Sequence, residues 1–418
     1  MARRFVVAPG KRYIVLSIRE IPRGGLFARS VAGEAVMKLR YGMVGGGEGA
    51  FIGGVHRTAA AIAGNWELAA GAFSATRDKA RASAATIGVA RGYDSWQEML
   101  AREAVLPAAT RIQAVAIVTP NFLHAPVAIA AMEAGFDVIC EKPVADTLDA
   151  ARAIAQAVQR TGRRIAVTYT YTGYPLVKQA RALVAAAGAL RRVMVTYTQD
   201  WLSRAGDLEN NKQAAWRVDP KRAGEGGAIG DIGTHAFNLV EFITGRRIES
   251  ICAELGSLPG RVLDDDASAL LRLEGGARGM LACSQVCVGD ANDLAISVYC
   301  DELGLHWRQQ QPNSLRVGRR DAPEEIWTAG AGQAYLASDV RAIQRTPAGH
   351  PEGYLEAFAN IYRAFGEEVL TGKRADGAPG YATMEDAIAC MKFIHAAKQS
   401  SEAGAAWTRL DTLCLNTP

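Results

Sequence analysis

A run of apolar residues that dissolves into glycines constrains this chain more than any other feature. The stretch "YGMVGGGEGAFIG" follows a first apolar segment and opens the first helical one, and Gly45, Gly47 and Ala50 in it fit the spacing G-x-G-x-x-A. A backbone that must turn tightly and then approach a pyrophosphate needs glycine at such positions. A small third residue lets the following helix pack on its strand, and the phosphates then rest on that helix's N-terminus. Glycine clusters also mark ordinary loops, so the motif gains force from its place at the start of a repeated strand-helix pattern.

That pattern runs from residue 38 to about 168. Short apolar runs at Leu39 to Val44, Leu68 to Phe73, Ala114 to Val118, Phe136 to Cys140 and Arg164 to Thr168 alternate with helical stretches such as Ala125 to Ala134 and Leu148 to Gln159. Such alternation predicts a parallel sheet with crossover helices. Beyond residue 190 strand-like runs follow one another: Arg192 to Gln199, Ile248 to Leu255, Ser268 to Leu273, Gly279 to Ser284, Leu294 to Tyr299 and Gly304 to Arg308, with "LEGGAR" as a tight hairpin. Helical patterns at 353–370 and 383–402 close the chain. The expected fold is therefore α/β: a Rossmann dinucleotide-binding domain over 37–168, then an α+β domain over 169–418 with a large antiparallel or mixed sheet. Residues 1–36, rich in Arg and poor in acid, read as an upstream extension in preference to a transit peptide, because the regular pattern begins cleanly at Met37.

Charge and cysteine usage narrow the partners. Of 47 Lys and Arg against 43 Asp and Glu, nine basic and two acidic residues lie in the first 40 positions, leaving 38 basic against 41 acidic. That slightly acidic body carries no stripe suited to nucleic acid. No apolar run approaches the roughly 20 residues of a membrane helix. The seven cysteines form no C-x-x-C pair and fall mostly in apolar segments, which suits reduced thiols and a cytoplasmic setting. The three carboxylates of "LDDDAS" (263–268) lack a partnered His or Cys cluster and read as a charged turn, so no metal is expected.

Ligands of open α/β sheets collect at the carboxyl ends of the strands. The second strand ends at Ser74, where a dinucleotide site for NAD would carry an acid for the ribose hydroxyls, and Arg77 and Lys79 follow. A missing carboxylate beside cations admits a 2′-phosphate, so the cofactor reads as NAD(P) with a slight lean to NADP; alternatively Ser74 is a turn residue and the cations are solvated. The next such end delivers Thr119, Pro120 and Asn121, with His124 in the same motif "TPNFLHAP", and the one after it delivers Glu141, Lys142 and Pro143. A lysine there can hydrogen-bond a substrate hydroxyl. An exposed turn with an ion pair is the bland alternative.

In "GDIGTHAFNLVEFITG", Asp231, His235 and Asn238 stand at i, i+4 and i+7, one face of a helix. A carboxylate one turn from an imidazole can orient it and hold the tautomer that accepts a proton. A capping Asp with a core histidine fits equally well. Trp216 and Arg217 in "AAWRVDP" offer a stacking surface and a fork donor for a sugar, and Tyr171 in "YTYTGYP" lies close to the domain junction; all three also suit packing.

Taken together and in order, the glycine loop, "TPNFLHAP", "EKP" and "GGAIGDIGTHAFNL" resemble the family of glucose-fructose oxidoreductase, inositol dehydrogenase and the rhizopine-catabolism protein MocA, over residues 38 to about 410. The resemblance implies a two-domain NAD(P)-dependent oxidoreductase acting on sugars or cyclitols, a homo-dimer or homo-tetramer built through the second domain's sheet. It implies a catalytic Lys142, a cis bond before Pro143, and His235 as base beside Asp231, whereas Asn238 stands where many relatives carry an acid. The expected reaction moves a hydride between a secondary alcohol and nicotinamide. His235 takes the hydroxyl proton, Asp231 steadies the imidazolium and Lys142 polarises the oxygen. A redox-neutral NAD-dependent glycosidase and a non-enzymatic sensor of the same fold are the alternatives.

Overall fold

The computed structural model describes residues 38–204, 219–374 and 379–411. The expected N-terminal extension lies outside them, as do Trp216 and Arg217.

The first sheet is built from β1 (Leu39–Gly45), β2 (Trp66–Ala72), β3 (Arg91–Gly92), β4 (Ala114–Val118), β5 (Asp137–Cys140) and β6 (Ile165–Val167). Its spatial order is β3-β2-β1-β4-β5-β6, with every pairing parallel. The order reverses between β1 and β4, so their carboxyl ends form the crevice in which ligands of such sheets bind. Helices α1 (Phe51–Ala63), α2 (Arg77–Ile87), α3 (Trp96–Ala104), α4 (His124–Glu133) and α5 (Leu148–Thr161) connect the strands. Strand β4 is buried at all five residues, as a parallel strand covered on both faces must be.

One of those faces is not covered by local crossovers alone. Leu39, Tyr41, Trp66 and Ala166 pack against Phe358, Tyr362 and Phe365 of α8 (Tyr354–Thr371), which returns from the far end of the chain. Its anchor is polar as well as apolar, since the Trp66 indole donates to the carbonyl of Tyr362 at 2.8 Å.

Helices α6 (Pro175–Ala185) and α7 (Thr234–Thr244), with α9 (Met384–Glu402), cover one face of the second sheet. That sheet comprises β7 (Leu190–Thr198), β8 (Ile248–Gly256), β9 (Asp266–Leu273), β10 (Arg278–Ser284), β11 (Asp293–Cys300), β12 (Leu303–Arg308), β13 (Ser314–Arg319), β14 (Glu325–Thr328) and β15 (Thr408–Arg409). Its order is β14-β13-β12-β11-β7-β10-β9-β8-β15, antiparallel apart from the parallel pair β7 and β10, so the sheet is mixed. Strand β9 alternates exposed and buried without a break, the pattern of a sheet with one face on a core. The "LEGGAR" hairpin is present, with Gly275 and Gly276 at positive φ between β9 and β10.

Candidate active site

The ends of β1, β2, β4, β5 and β6 open on a single cleft of about 1260 Å³ that also reaches the second sheet. Its lining includes Gly45, Gly47, Ala50, Ser74 and Lys79, then Thr119, Pro120, Asn121, His124, Glu141 and Lys142, and from later in the chain Asp231 and His235, with Tyr171. Arg77 and Asn238 do not line it. Arg77 pairs with Asp94 at 2.7 Å on the surface, and Asn238 is buried with its side-chain oxygen unpartnered.

The glycine loop has the backbone shape that a pyrophosphate cradle needs. Gly45 and Gly46 have φ of +84° and +71°, and a Cβ on Gly47 would stand 2.7 Å from the Phe73 carbonyl and the Ser83 hydroxyl. The close approach of helix to strand that the motif assigns to its third position is made one turn later. A Cβ on Gly53 would lie 2.4 Å from Gly46, while Ala50 caps the helix without such a contact. Farther along, the buried hydroxyl of Thr119 has no partner within the described residues. A loop with no room for side chains and an unsatisfied hydroxyl in one cleft fit a dinucleotide laid from glycine loop to Lys142.

The strand ends are tied together beneath that cleft. The ring nitrogens of His124 lie 2.8 Å from the carbonyls of Thr119 and Pro143, joining the exits of β4 and β5. Asn121 donates to the Ala223 carbonyl at 2.9 Å, which links the two lobes. The Lys142–Pro143 bond is cis.

The two charges that follow the buried strand β5 make two separate attachments. Glu141 turns inward, where it accepts from His56 Nε2 at 2.9 Å and from Thr168 at 2.6 Å. Lys142 turns toward the second lobe and donates to Asp231, at 2.8 Å to the side chain and 2.6 Å to the main-chain carbonyl. They do not pair with each other as an exposed turn would have it.

Asp231 lies in a turn of π-helix, Ile229–Gly233, that runs straight into α7. Such wide turns recur at functional sites because they rotate a side chain off the regular helical face. The expectation that Asp231 orients His235 is therefore not what the structure displays. Its two carboxylate oxygens take Lys142 and the Gln285 amide, the latter at 2.9 Å. His235 instead sits among the rings of Tyr169, Tyr171 and Tyr197, with centroids 5.6, 4.9 and 6.1 Å away, and its Nδ1 is buried without a partner. Burial, and secondarily the charge of Lys142, push the imidazole well below its ordinary pKa, which keeps the ring neutral.

The start of the π-turn is held by Asp264, which accepts from the backbone of Gly227 at 2.6 Å and Ile229 at 2.7 Å. Asp265 pairs with Arg261 at 2.5 Å, both nearly inaccessible. The "LDDDAS" run is thus no solvated turn: two of its carboxylates are buried because backbone amides and an arginine there need acceptors.

Sequence reasoning singled out Tyr171 but missed the polar wall that it joins. Tyr171 and Tyr197 share a 2.5 Å hydroxyl contact, Tyr197 donates to Asn292 at 2.8 Å, and Gln199 donates to the same Asn292 oxygen at 2.7 Å. Gln285 reaches the Gln199 side-chain oxygen at 3.3 Å and so closes the chain to Asp231. Phenols, amides and one acid–lysine pair make a surface of alternating donors and acceptors, the chemistry that recognises hydroxyl-rich molecules. An amide after each of β7 and β10 was the available signal.

The comparisons agree with this geometry. A model of the oxidoreductase family with an NAD-binding Rossmann fold matches residues 39–169, and one of the GFO/IDH/MocA C-terminal domain matches 177–306. The chain is 30% identical to the uncharacterized oxidoreductase YfiI of Bacillus subtilis, across 90% of this chain and 98% of that protein. A crystal structure of an oxidoreductase from Sinorhizobium meliloti superposes with a TM-score of 0.80 at 40% identity, covering 88% of this chain and 99% of the other. An inositol dehydrogenase homologue from Azotobacter vinelandii, complexed with NADH and myo-inositol, gives 0.80 at 31% identity over 89% and 98%. With a glycine cradle, an E-K-P turn and an aspartate–histidine turn on one cleft, the chain belongs to the Gfo/Idh/MocA family and is an NAD(P)-dependent oxidoreductase acting on CH–OH groups.

Proposed function

We propose that this enzyme oxidises a secondary alcohol of a sugar or cyclitol, or reduces the matching ketone. The supporting observation is that Lys142 of the first lobe and His235 of the second line the same cleft as the glycine loop. Gly45, Gly47, Thr119 and Asn121 would hold the cofactor, which supplies the hydride acceptor or donor when bound. His235 accepts the hydroxyl proton, its ring being neutral at pH 7 because burial disfavours the charged form. Lys142 binds the same oxygen and offsets the charge left on it, and Asp231 with Gln285 keeps the ammonium pointed there. The amide and phenol wall binds the remaining hydroxyls.

For the adenosine end our reading leans to NADP. No carboxylate ends β2, and Lys79 lines the cleft without an ion pair among the described residues. The exposed Arg77–Asp94 pair is of a kind worth at most about 1 kcal/mol, so it can yield to a phosphate. For assembly we read a homo-oligomer formed on the outer face of the second sheet, where Met194 and Leu270 are exposed on either side of β10. The six described cysteines are free, in keeping with a cytoplasmic setting.

One screen tests the reading: sugars and cyclitols offered with each cofactor, followed by absorbance of the reduced nicotinamide, beside Lys142→Ala and His235→Ala. Turnover by the wild type alone supports it. Wild-type turnover by both variants on the same substrate removes the assigned roles.

A further inference from the structure

Glu141 is a nearly buried carboxylate in the lining of the cleft, and among the described residues no lysine or arginine side chain pairs with it. The neighbouring ammonium, Lys142, is committed to Asp231. The hydrogen-bond donors to Glu141 come from three separate parts of the chain. His56 Nε2 and the Thr168 hydroxyl reach Oε1 at 2.9 and 2.6 Å, and the Lys142 backbone N–H donates to Oε2 at 3.2 Å. His56 is itself held at 2.7 Å by the hydroxyl of Tyr362 on the returning helix α8, and both rings are inaccessible. An ionised carboxylate can only accept, so His56 Nε2 carries the hydrogen that faces Glu141. Burial alone would push the carboxyl up, but the His56 hydrogen bond leads a set of donors and charges that hold it down at about 2.

A carboxylate fixed by hydrogen bonds and mostly shielded from water acts strongly on charges in the cleft it lines. Glu141 follows β5 directly and lines the cleft together with Thr119 and Lys142. The oxidised nicotinamide ring is a cation and the reduced one is neutral, so a carboxylate there binds the two unequally.

We propose that Glu141 sets the redox preference of the cleft, favouring the oxidised over the reduced cofactor, and that His56 and Tyr362 are positioning residues that hold it. The proposal rests on the dinucleotide reading of the cleft and adds to it a role for His56 and Tyr362.

The test measures dissociation constants of the oxidised and reduced forms of the better-bound cofactor, by calorimetry and nicotinamide fluorescence, on the full chain without substrate. Glu141→Gln is expected to shift the ratio of the two constants on the order of tenfold against the oxidised form. His56→Leu shifts it in the same direction, and His56→Gln, whose amide can still donate, restores it toward wild type. Loss of affinity for both forms in equal proportion in Glu141→Gln and His56→Leu marks a merely structural role and overturns the proposal. Should Glu141→Gln fail to fold, the two His56 variants decide: equal ratios in both sink it. A wild-type chain that binds neither form refutes instead the dinucleotide reading beneath it.

Discussion

The ammonium of Lys142 donates twice to Asp231, at 2.8 Å to the carboxylate and 2.6 Å to the main-chain oxygen of the same residue. The two lobes thus meet at one lysine, and the pair is mostly shielded, with side-chain exposures of 12% and 19%. Lys142→Ala should lower kcat by about 10²–10⁴-fold, the range for loss of a positioned proton-handling group. Asp231→Asn keeps the shape and the Gln285 contact but frees the ammonium, so a smaller fall in kcat with a raised KM is expected. Initial rates on a confirmed substrate check both, and near-wild-type values would remove the pair from the mechanism.

His235 is kept deprotonated by burial and by Lys142, so its folded pKa lies well below the ordinary value. The profile of kcat/KM against pH should accordingly show no histidine step near 6.5, with its acid limb displaced to lower pH. Stability carries the same signature. The unfolded chain takes up a proton near pH 6.5 that the native site refuses, so native stability is lost as pH falls below that value. Urea melts between neutral and acid pH should show this slope in the wild type and a shallower one in His235→Leu.

Asp264 is pushed up to about 6, mainly by burial, although two backbone amides hold its carboxylate. A raised carboxyl means that the native state holds a proton the unfolded chain has released, so this group's contribution to stability falls as pH rises from about 4 to about 6. Asp264→Ala should destabilise the fold by roughly 1–3 kcal/mol by orphaning two buried N–H groups. Because those amides begin the π-turn that carries Asp231, activity should fall further than stability accounts for. Thermal melts read against turnover separate the two effects.

On the outer face of the second sheet, Leu270, Met280 and Met194 stand in register across β9, β10 and β7. Charging that row with Leu270→Glu and Met194→Arg should dissociate the homo-oligomer we propose while leaving the monomer folded, as read by light scattering and circular dichroism. A wild-type chain that is already monomeric, or an oligomer indifferent to both changes, excludes this face.

Much of this was legible because one residue type does one job. Strand β4 begins and ends at the residues its apolar run predicted, and Glu141 and Lys142 were conspicuous as charges following a buried strand. What stayed hidden depends on pairing between distant segments. The edge strands β3 and β14, and β13 beside the latter, are short or half-exposed, so their own residues carry little apolar signal. Gln199, Gln285 and Asn292 are unremarkable in sequence and acquire meaning only when β7, β10 and β11 bring their ends together. His56 carries no signal of its own in the sequence, because nothing near it foretells Glu141, 85 positions away, or Tyr362, 306 away. The Asp231–His235 spacing suggested a direct partnership that the wider turn undoes.

The return of α8 onto the first sheet has a consequence for biosynthesis. A ribosome that has emitted the first six strands has produced a nucleotide-binding lobe with Leu39, Tyr41 and Trp66 still facing water, and their cover, Phe358, Tyr362 and Phe365, arrives nearly two hundred residues later. The lobe that begins the chain is thus among the last parts to be finished, and a nascent chain stalled before α8 would display the sticky surface that chaperones recognise.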